Sequence, residues 1–330
     1  MSSISTPVPT FGPTEAAEDA GKESHMSRFL PIIDISQSER AHTHREIDAA
    51  CRDSGVFQIV GHGIDARLIA ALRRQMRTLF GQPTAVKRAI SRTAENPWGF
   101  YDRELTRHTP DWKEIYDYGP ADGESIAPQW PAGLPAFKPV IQAYYASCED
   151  LSMRLLRVLA RNLGMPADSL DAFFLLQHTS FLRLNYYPIC AANPGGHLGV
   201  NPHTDSGALT LLLQDEQPGL EVFYRSAWWL VEPHPEALVV NLGDIAQVWS
   251  NDKYPAPLHR AVVNADAQRF SVPFFFNPAY SAEYAPLPST VDARHPPRYR
   301  PINWREFRTR RAAGDYASSG EYVQISHYAV

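Results

Sequence analysis

The chain has 330 residues, a net charge of −5 and a pI of about 6.2, with 44% hydrophobic and 20% charged residues. That length and apolar share suit a soluble globular chain of one large domain or two modest ones, and the acidic balance gives no steering toward nucleic acid or an anionic membrane. No apolar run approaches the ~20 residues of a membrane span; three cysteines (Cys51, Cys148 and Cys190) without Cys-x-x-Cys spacing argue against a disulfide framework or structural zinc knot and for a reducing, cytoplasmic setting.

Residues 1–28, rich in Ser, Thr, Pro, Ala and Glu and lacking apolar periodicity, read as a disordered tail without a signal core or Arg-rich leader. Residues 29–330 read as a single domain in three parts: a mostly helical stretch over 29–176, a strand-rich core over 177–280 and a C-terminal extension over 281–330. Residues 29–35 predict an edge strand, with Pro31 confined to the edge. A helix over 39–53 is stopped by Gly55; a strand over 56–60 and the turn Gly61-His62-Gly63 follow. Asp65 is placed to cap a helix whose Leu68, Ile69, Leu72, Met76, Leu79 and Phe80 make one apolar stripe. Residues 92–136, studded with Pro, Gly and aromatics, show no clear period and read as a long functional loop or lid. The longest helix is predicted over 138–163, ended by Gly164 and Pro166, and Asp168 is a candidate cap for a short helix reaching Leu176.

From Phe181 the period changes to two. Leu182, Leu184 and Tyr186 face one way; Arg183, Asn185 and Tyr187 face the other, so a polar stripe on an otherwise apolar strand points to a lined cavity. Further short strands are predicted near 209–213, 220–223, 228–231, 237–241, 258–264 and 269–275, then one helix over 303–312 and an aromatic-containing tail from Tyr316. Many short strands after a helical front half imply a mainly β domain with flanking helices, a sandwich or barrel.

Three short runs carry chemistry. In extended chain, side chains two apart converge, so His203 and Asp205 face one point, as do Arg269 and Ser271. His259, in Pro257-Leu258-His259-Arg260, lies far enough downstream for several strands to bring it back. Two histidines and one carboxylate cap one face of a six-coordinate ion and leave the other face open, as in non-haem Fe(II) oxygenases. A zinc hydrolase could use the same ligands but leaves Arg269-x-Ser271 unexplained. Arg183 either holds a carboxylate of substrate or co-substrate, or balances Asp205 and nearby acids. Tyr101, Tyr118, Trp249 and Phe276, with Trp98 and Phe100, are candidate substrate-pocket walls, and Asp117 is a loop acid, either solvated or facing a cationic substrate.

The His203-x-Asp205…His259 triad, Arg269-x-Ser271, Asn185-Tyr186-Tyr187-Pro188, Asn241-Leu242-Gly243-Asp244 and the front-half run from Asp53 to Gly63 together resemble the isopenicillin N synthase-like branch of Fe(II)/2-oxoglutarate-dependent oxygenases, over residues 29–310. The resemblance implies a double-stranded β-helix (jelly-roll) core. It implies Fe(II) on His203, Asp205 and His259, and the distal carboxylate of 2-oxoglutarate on Arg269 and Ser271. Asn185 and Tyr187 match co-substrate contacts, O2 is the oxidant and ascorbate a supporting reductant. The implied reaction is oxidation, foremost hydroxylation, of an unactivated C–H in a small molecule such as an amino acid or specialised metabolite, with 2-oxoglutarate decarboxylated to succinate and CO2. A 2-oxoglutarate-independent oxidase, cyclase or desaturase of the same fold is an alternative, and a non-catalytic small-molecule-binding β-helix protein is another. A small-molecule substrate is expected, with no nucleic-acid or membrane partner, and the residues carry no signal of oligomeric state.

Overall fold

In the computed structural model, described over residues 30–120, 126–175, 177–193, 196–316 and 323–330, alternation along the strands sorts side chains between two layers. The tail expected over 1–28 and Leu176 lie outside the described residues. In chain order, β1 (Ile32–Asp34), α1 (Ala41–Asp53), β2 (Val56–Val60), α2 (Ala66–Phe80) and α3 (Thr84–Arg88) lead to β3 (Gly99–Tyr101), the hairpin β4 (Leu105–Thr106) and β5 (Thr109–Pro110), and β6 (Glu114–Tyr118). The long helix α4 (Phe137–Asn162) precedes β7 (Phe181–Tyr187), β8 (Leu198–His203), β9 (Leu209–Gln214), β10 (Leu220–Tyr224), β11 (Ala227–Leu230) and β12 (Leu238–Leu242). Then come α5 (Asp244–Trp249), β13 (His259–Val262), β14 (Arg269–Phe276), β15 (Glu283–Tyr284), β16 (Ile302–Asn303) and α6 (Trp304–Tyr316).

The larger sheet runs β1-β2-β12-β9-β14-β7-β6-β3 and the smaller β11-β10-β13-β8. Leu211, Leu213, Val240, Phe274, Leu182 and Leu184 point from the larger sheet into the main core, packed on α2 and α4. The opposite parity meets the smaller sheet: Leu212 and Val239 pack on Leu220 and Val222 in a second apolar cluster. The two sheets therefore face each other as a jelly roll, with helices bracing the outside of the larger one.

Expected elements and observed ones differ in several places. The stretch expected to be irregular over 92–136 contains β3, the β4–β5 hairpin and β6. Ile115, Tyr116, Asp117 and Tyr118 are all buried, so β6 is covered on both faces and shows no polar–apolar alternation to read. The short helix after Asp168 is a single 3₁₀ turn, Asp171–Phe173. Strand β8, interrupted by Gly199 and Pro202, and the six-residue helix α5 have too little periodicity to be seen in sequence.

Helix α6 returns the chain against the roll. Its fully buried Trp304 donates from Nε1 to Thr179 Oγ1 at 2.8 Å, just before β7. Truncation to alanine removes a large buried ring together with that hydrogen bond. Trp304→Ala is expected to lose about 3–5 kcal/mol of unfolding free energy, measured by chemical denaturation; a loss under about 1 kcal/mol would mean that α6 is held elsewhere.

Candidate active site

His203 and His259 are direct cross-strand partners in β8 and β13, which sets their rings 4.3 Å apart between centroids. Asp205 lies two residues past His203, just beyond the end of β8, and its carboxylate faces both rings. Asp205 Oδ1 is 3.6 Å from His203 Nε2 and 3.8 Å from His259 Nε2, and the three ligand atoms lie within 4.8 Å of one another. Each imidazole donates from Nδ1 to a backbone carbonyl two residues earlier, His203 to Asn201 at 2.8 Å and His259 to Pro257 at 3.0 Å. Those bonds fix the tautomer and leave both Nε2 lone pairs for a metal. Burial, then the neighbouring His259, pushes the His203 pKa down to about 3, so its ring is neutral at physiological pH.

Burial also opposes ionisation of Asp205. The two histidines and hydrogen bonds from Thr210 Oγ1 (2.5 Å) and Asn241 Nδ2 (2.8 Å), both to Oδ2, outweigh it and hold the carboxyl below its usual range. The backbone of Asp205 is fixed as well: its carbonyl accepts from Asp244 N–H at 2.8 Å. Gly243 permits this approach, since an added Cβ would strike the Gly207 carbonyl and come within 2.9 Å of Asp205 O. Behind Asp205, buried Arg311 of α6 pairs with Asp244 and donates to the Thr204 carbonyl. Of these supports, Asn241 and Asp244 belonged to a quoted motif; Thr210 and Arg311 carried no signal beyond their residue type.

Next to the triad, β14 and β7 set Arg269 opposite Tyr187 and Ser271 opposite Asn185. Ser271 Oγ lies 3.3 Å from Asn185 Nδ2 and 3.4 Å from the Tyr187 hydroxyl. Arg269 is 2% exposed, its guanidinium 5.0 Å from the Tyr187 ring centroid, and Gly219 leaves room for it: a Cβ there would lie 2.8 Å from Arg269 Cδ. Arg269 forms no ion pair among the described residues, and its Nη1, like Asn185 Oδ1, is buried without a partner. A buried cation in that state is suited to an anion that enters from the cavity.

That cavity, of about 190 Å3, is lined by the triad, by Arg183, Asn185 and Tyr187, and by Arg269 and Ser271. It is also walled by Phe181, Phe275, Leu105 and Lys113, none of them anticipated, and reached by Arg308 from α6. Arg183 lines it but is committed: it donates to both Asp117 oxygens (2.7 and 2.8 Å) and sits 3.1 Å from Glu104. Asp117 is thus a buried partner in a strand, not a loop acid. Lys113 is equally enclosed, 3.1 Å from Asp111, which also accepts from Asn201 N–H and Thr106 Oγ1 and so ties the β4–β5 hairpin to the histidine-bearing strand.

None of the six expected wall residues lines the cavity: Phe100 is buried in the main core, Trp98 lies against Phe181, and the other four are placed as follows. Tyr118 pairs in register with core-facing Leu182, whereas Asp117 pairs with Arg183; parity therefore turns Tyr118 into the core, against Tyr145 and Trp130. Along β14, Arg269, Ser271, Pro273 and Phe275 line the cavity, so Phe276 points the other way and stacks on Phe174 at 4.1 Å. Trp249 is buried under α5 against Phe173 and Phe174. Tyr101 lies outside the lining, its ring 3.8 Å from the Arg92 guanidinium carbon.

A family model for the 2OG-Fe(II) oxygenase superfamily matches residues 178–278, and one for the non-haem dioxygenase in morphine synthesis N-terminal region matches residues 30–134. Jasmonate-induced oxygenase 2 of Arabidopsis thaliana is 36% identical over 291 residues, covering 84% of this chain and 78% of its own. Gibberellin 20 oxidase 1 of Oryza sativa subsp. japonica is 32% identical over 98% of this chain and 94% of its own. The chain is a 2OG-Fe(II) oxygenase. Among solved structures, JOX2 in complex with 2OG, Fe and JA matches with a TM-score of 0.78 at 35% identity over 85% of this chain and 84% of that one. A full-length Neurospora crassa protein in complex with alpha-KG and thymine matches with a TM-score of 0.79 at 25% identity over 87% and 97%.

For a 2OG-Fe(II) oxygenase the donor set fits. Two imidazole nitrogens and a carboxylate oxygen, without thiolate, suit Fe(II) and would leave room for a chelating oxo acid and O2. Within this enzyme, Asn241 orients the Asp205 carboxylate by donating to Oδ2. Asn241→Leu is expected to weaken Fe(II) binding by roughly 10–100-fold while the circular dichroism spectrum stays that of the parent, as followed by titration of metal-stripped protein; unchanged affinity would remove Asn241 from the support of Asp205.

Proposed function

We propose that this oxygenase hydroxylates an unactivated C–H of a small carboxylic acid, the acid group being held by Arg308 at the cavity mouth. One observation carries the substrate class. Among the described residues, Arg308 has no ion pair and no hydrogen bond; its guanidinium rests only on the rings of Phe181 (5.1 Å) and Trp304 (5.7 Å), while the side chain lines the cavity. The other cations that reach the cavity from the substrate side are already matched: Lys113 by Asp111, Arg183 by Asp117 and Glu104, Arg260 by Glu221. A neutral ligand would leave Arg308 without a counter-charge, and a carboxylate supplies it in a charge-assisted geometry. Known relatives bind ligands as different as JA and thymine, so the ligand is argued from this chain's own wall.

In this reading Arg269 and Ser271 hold the distal carboxylate of 2-oxoglutarate, with Asn185 and Tyr187 beside them. Bound Fe(II) supplies the O2-dependent oxidation that couples loss of CO2 from 2-oxoglutarate to attack on the substrate C–H. The protein does the rest by placement. Leu105, Val200, Leu220, Phe181 and Phe275 give an apolar body that excludes water, and Arg308 fixes one end of the substrate so that a C–H remote from the acid faces the triad. Buried, unbridged Cys51, Cys148 and Cys190 agree with a cytoplasmic setting.

Succinate release and O2 uptake measured against paired carboxylic acids and their methyl esters test the substrate class. Acids are expected to couple and esters to fail; equal turnover of both would overturn it. Arg308→Ala should raise KM for the acid by roughly tenfold to a hundredfold, the worth of a hydrogen bond to a charged group. Arg269→Ala should instead raise KM for 2-oxoglutarate, by roughly two decades, and an unchanged KM would contradict its role.

A further inference from the structure

We infer that Gln214 is a positioning residue that holds Arg269 in place while leaving its charge uncompensated, so that the distal carboxylate of 2-oxoglutarate is the guanidinium's first anionic partner; this rests on the proposed role of Arg269 as co-substrate anchor. Gln214 closes β9 directly opposite Ser271 of β14. Its Oε1 accepts from Arg269 Nη2 at 3.0 Å, and the Gln217 carbonyl accepts from Arg269 Nε at 3.2 Å. Both acceptors are neutral. An acid is available next door, yet Asp215 is turned onto the backbone, accepting from Phe270 N–H at 2.6 Å and Gln217 N–H at 3.0 Å. Where the chain offers an amide and a carboxylate side by side, the fold gives the amide to the guanidinium.

The arrangement is not the most stable one for the protein alone. Gln214 Nε2 is buried and donates to nothing, and Arg269 Nη1 is likewise bare. A glutamate at this position would have no orphaned donor and would form a charge-assisted pair with Arg269. It would also present the co-substrate with a neutralised anchor. The amide thus trades fold stability for anion affinity. The clamp is braced from outside: Arg73 of α2 donates from Nη2 to the Gln214 carbonyl at 2.9 Å, and Arg77 lies over the Phe270 ring at 5.8 Å.

The test is Gln214→Glu in the Fe(II)-loaded protein under argon, titrated calorimetrically with 2-oxoglutarate and with pyruvate, an oxo acid that lacks the distal carboxylate. The Kd for 2-oxoglutarate is expected to rise roughly tenfold to a hundredfold, with pyruvate binding unchanged and Tm equal to or above that of the parent. Parent-like 2-oxoglutarate binding, or equal losses for both oxo acids, would overturn the inference. Arg269→Ala beside it reports on the anchor itself: if that variant still prefers 2-oxoglutarate to pyruvate, the anchor is misassigned, whereas a lost preference there with parent-like Gln214→Glu binding refutes only the role of Gln214. Should Gln214→Glu fail to fold, the neutral Gln214→Met must give a several-fold loss for 2-oxoglutarate and none for pyruvate; losses of equal size would refute the inference.

Discussion

The site depends on the burial of one carboxylate. Asp205 is 6% exposed and held ionised, with Oδ2 satisfied by Thr210 and Asn241 and Oδ1 turned toward the two imidazoles. Hydrogen bonds satisfy lone pairs but do not cancel a net charge, and an uncompensated buried anion is costly. His203 cannot cancel it either, because burial keeps that ring unprotonated. A divalent cation at the common focus of the three side chains resolves the conflict. Metal binding and local stability are therefore one requirement, and the surrounding structure serves it: β9 brings Thr210, the end of β12 brings Asn241, and Gly243 lets the following turn close on the Asp205 backbone.

The rest of the cavity is built by the same accounting of charge. Buried cations in its walls face buried acids, as Lys113 does with Asp111 and Arg311 with Asp244. Arg92, Arg183, Glu104 and Asp117 join into one network between β6, β7 and the hairpin. Such a network contributes polarity and shape without net charge. Against that background two guanidiniums stand out among the described residues, Arg269 at the inner end and Arg308 at the mouth. The first suits the distal carboxylate of 2-oxoglutarate and the second, on the proposed reading, an acid group of the substrate. Neutral acceptors on Arg269, and rings rather than acids beneath Arg308, keep both charges available.

How much of this was legible in sequence depends on where the information sits. The period-two stripe of β7 placed Arg183, Asn185 and Tyr187 on the cavity face, and spacing alone joined His203 to Asp205 and Arg269 to Ser271. Strand β6 hid because both of its faces are buried, so Asp117 looked like a loop acid. Phe276 was misplaced by a single step of parity in a run of three phenylalanines, where composition says nothing and only the register with β9 and β7 decides that Phe275 faces the cavity. Thr210, Gln214 and Arg311 were beyond reach for a different reason. Their roles arise from contacts to residues 5, 55 and 67 positions away, which local pattern does not encode.

Helix α6 shows why such contacts matter to chemistry. Arg308 and Arg311 are three residues apart, so they project from one face of the helix. One reaches the cavity mouth; the other grips Asp244 and the Thr204 carbonyl, between two metal ligands. On the proposed reading, a substrate acid drawn to Arg308 would meet the same helix that fixes the metal loop. The β4–β5 hairpin makes the matching connection from the other side, because Asp111 binds Thr106 of the hairpin and Asn201 of β8, and the Asn201 carbonyl accepts from His203 Nδ1–H. Substrate-facing walls and metal ligands are thus tied by short hydrogen-bonded paths on two sides.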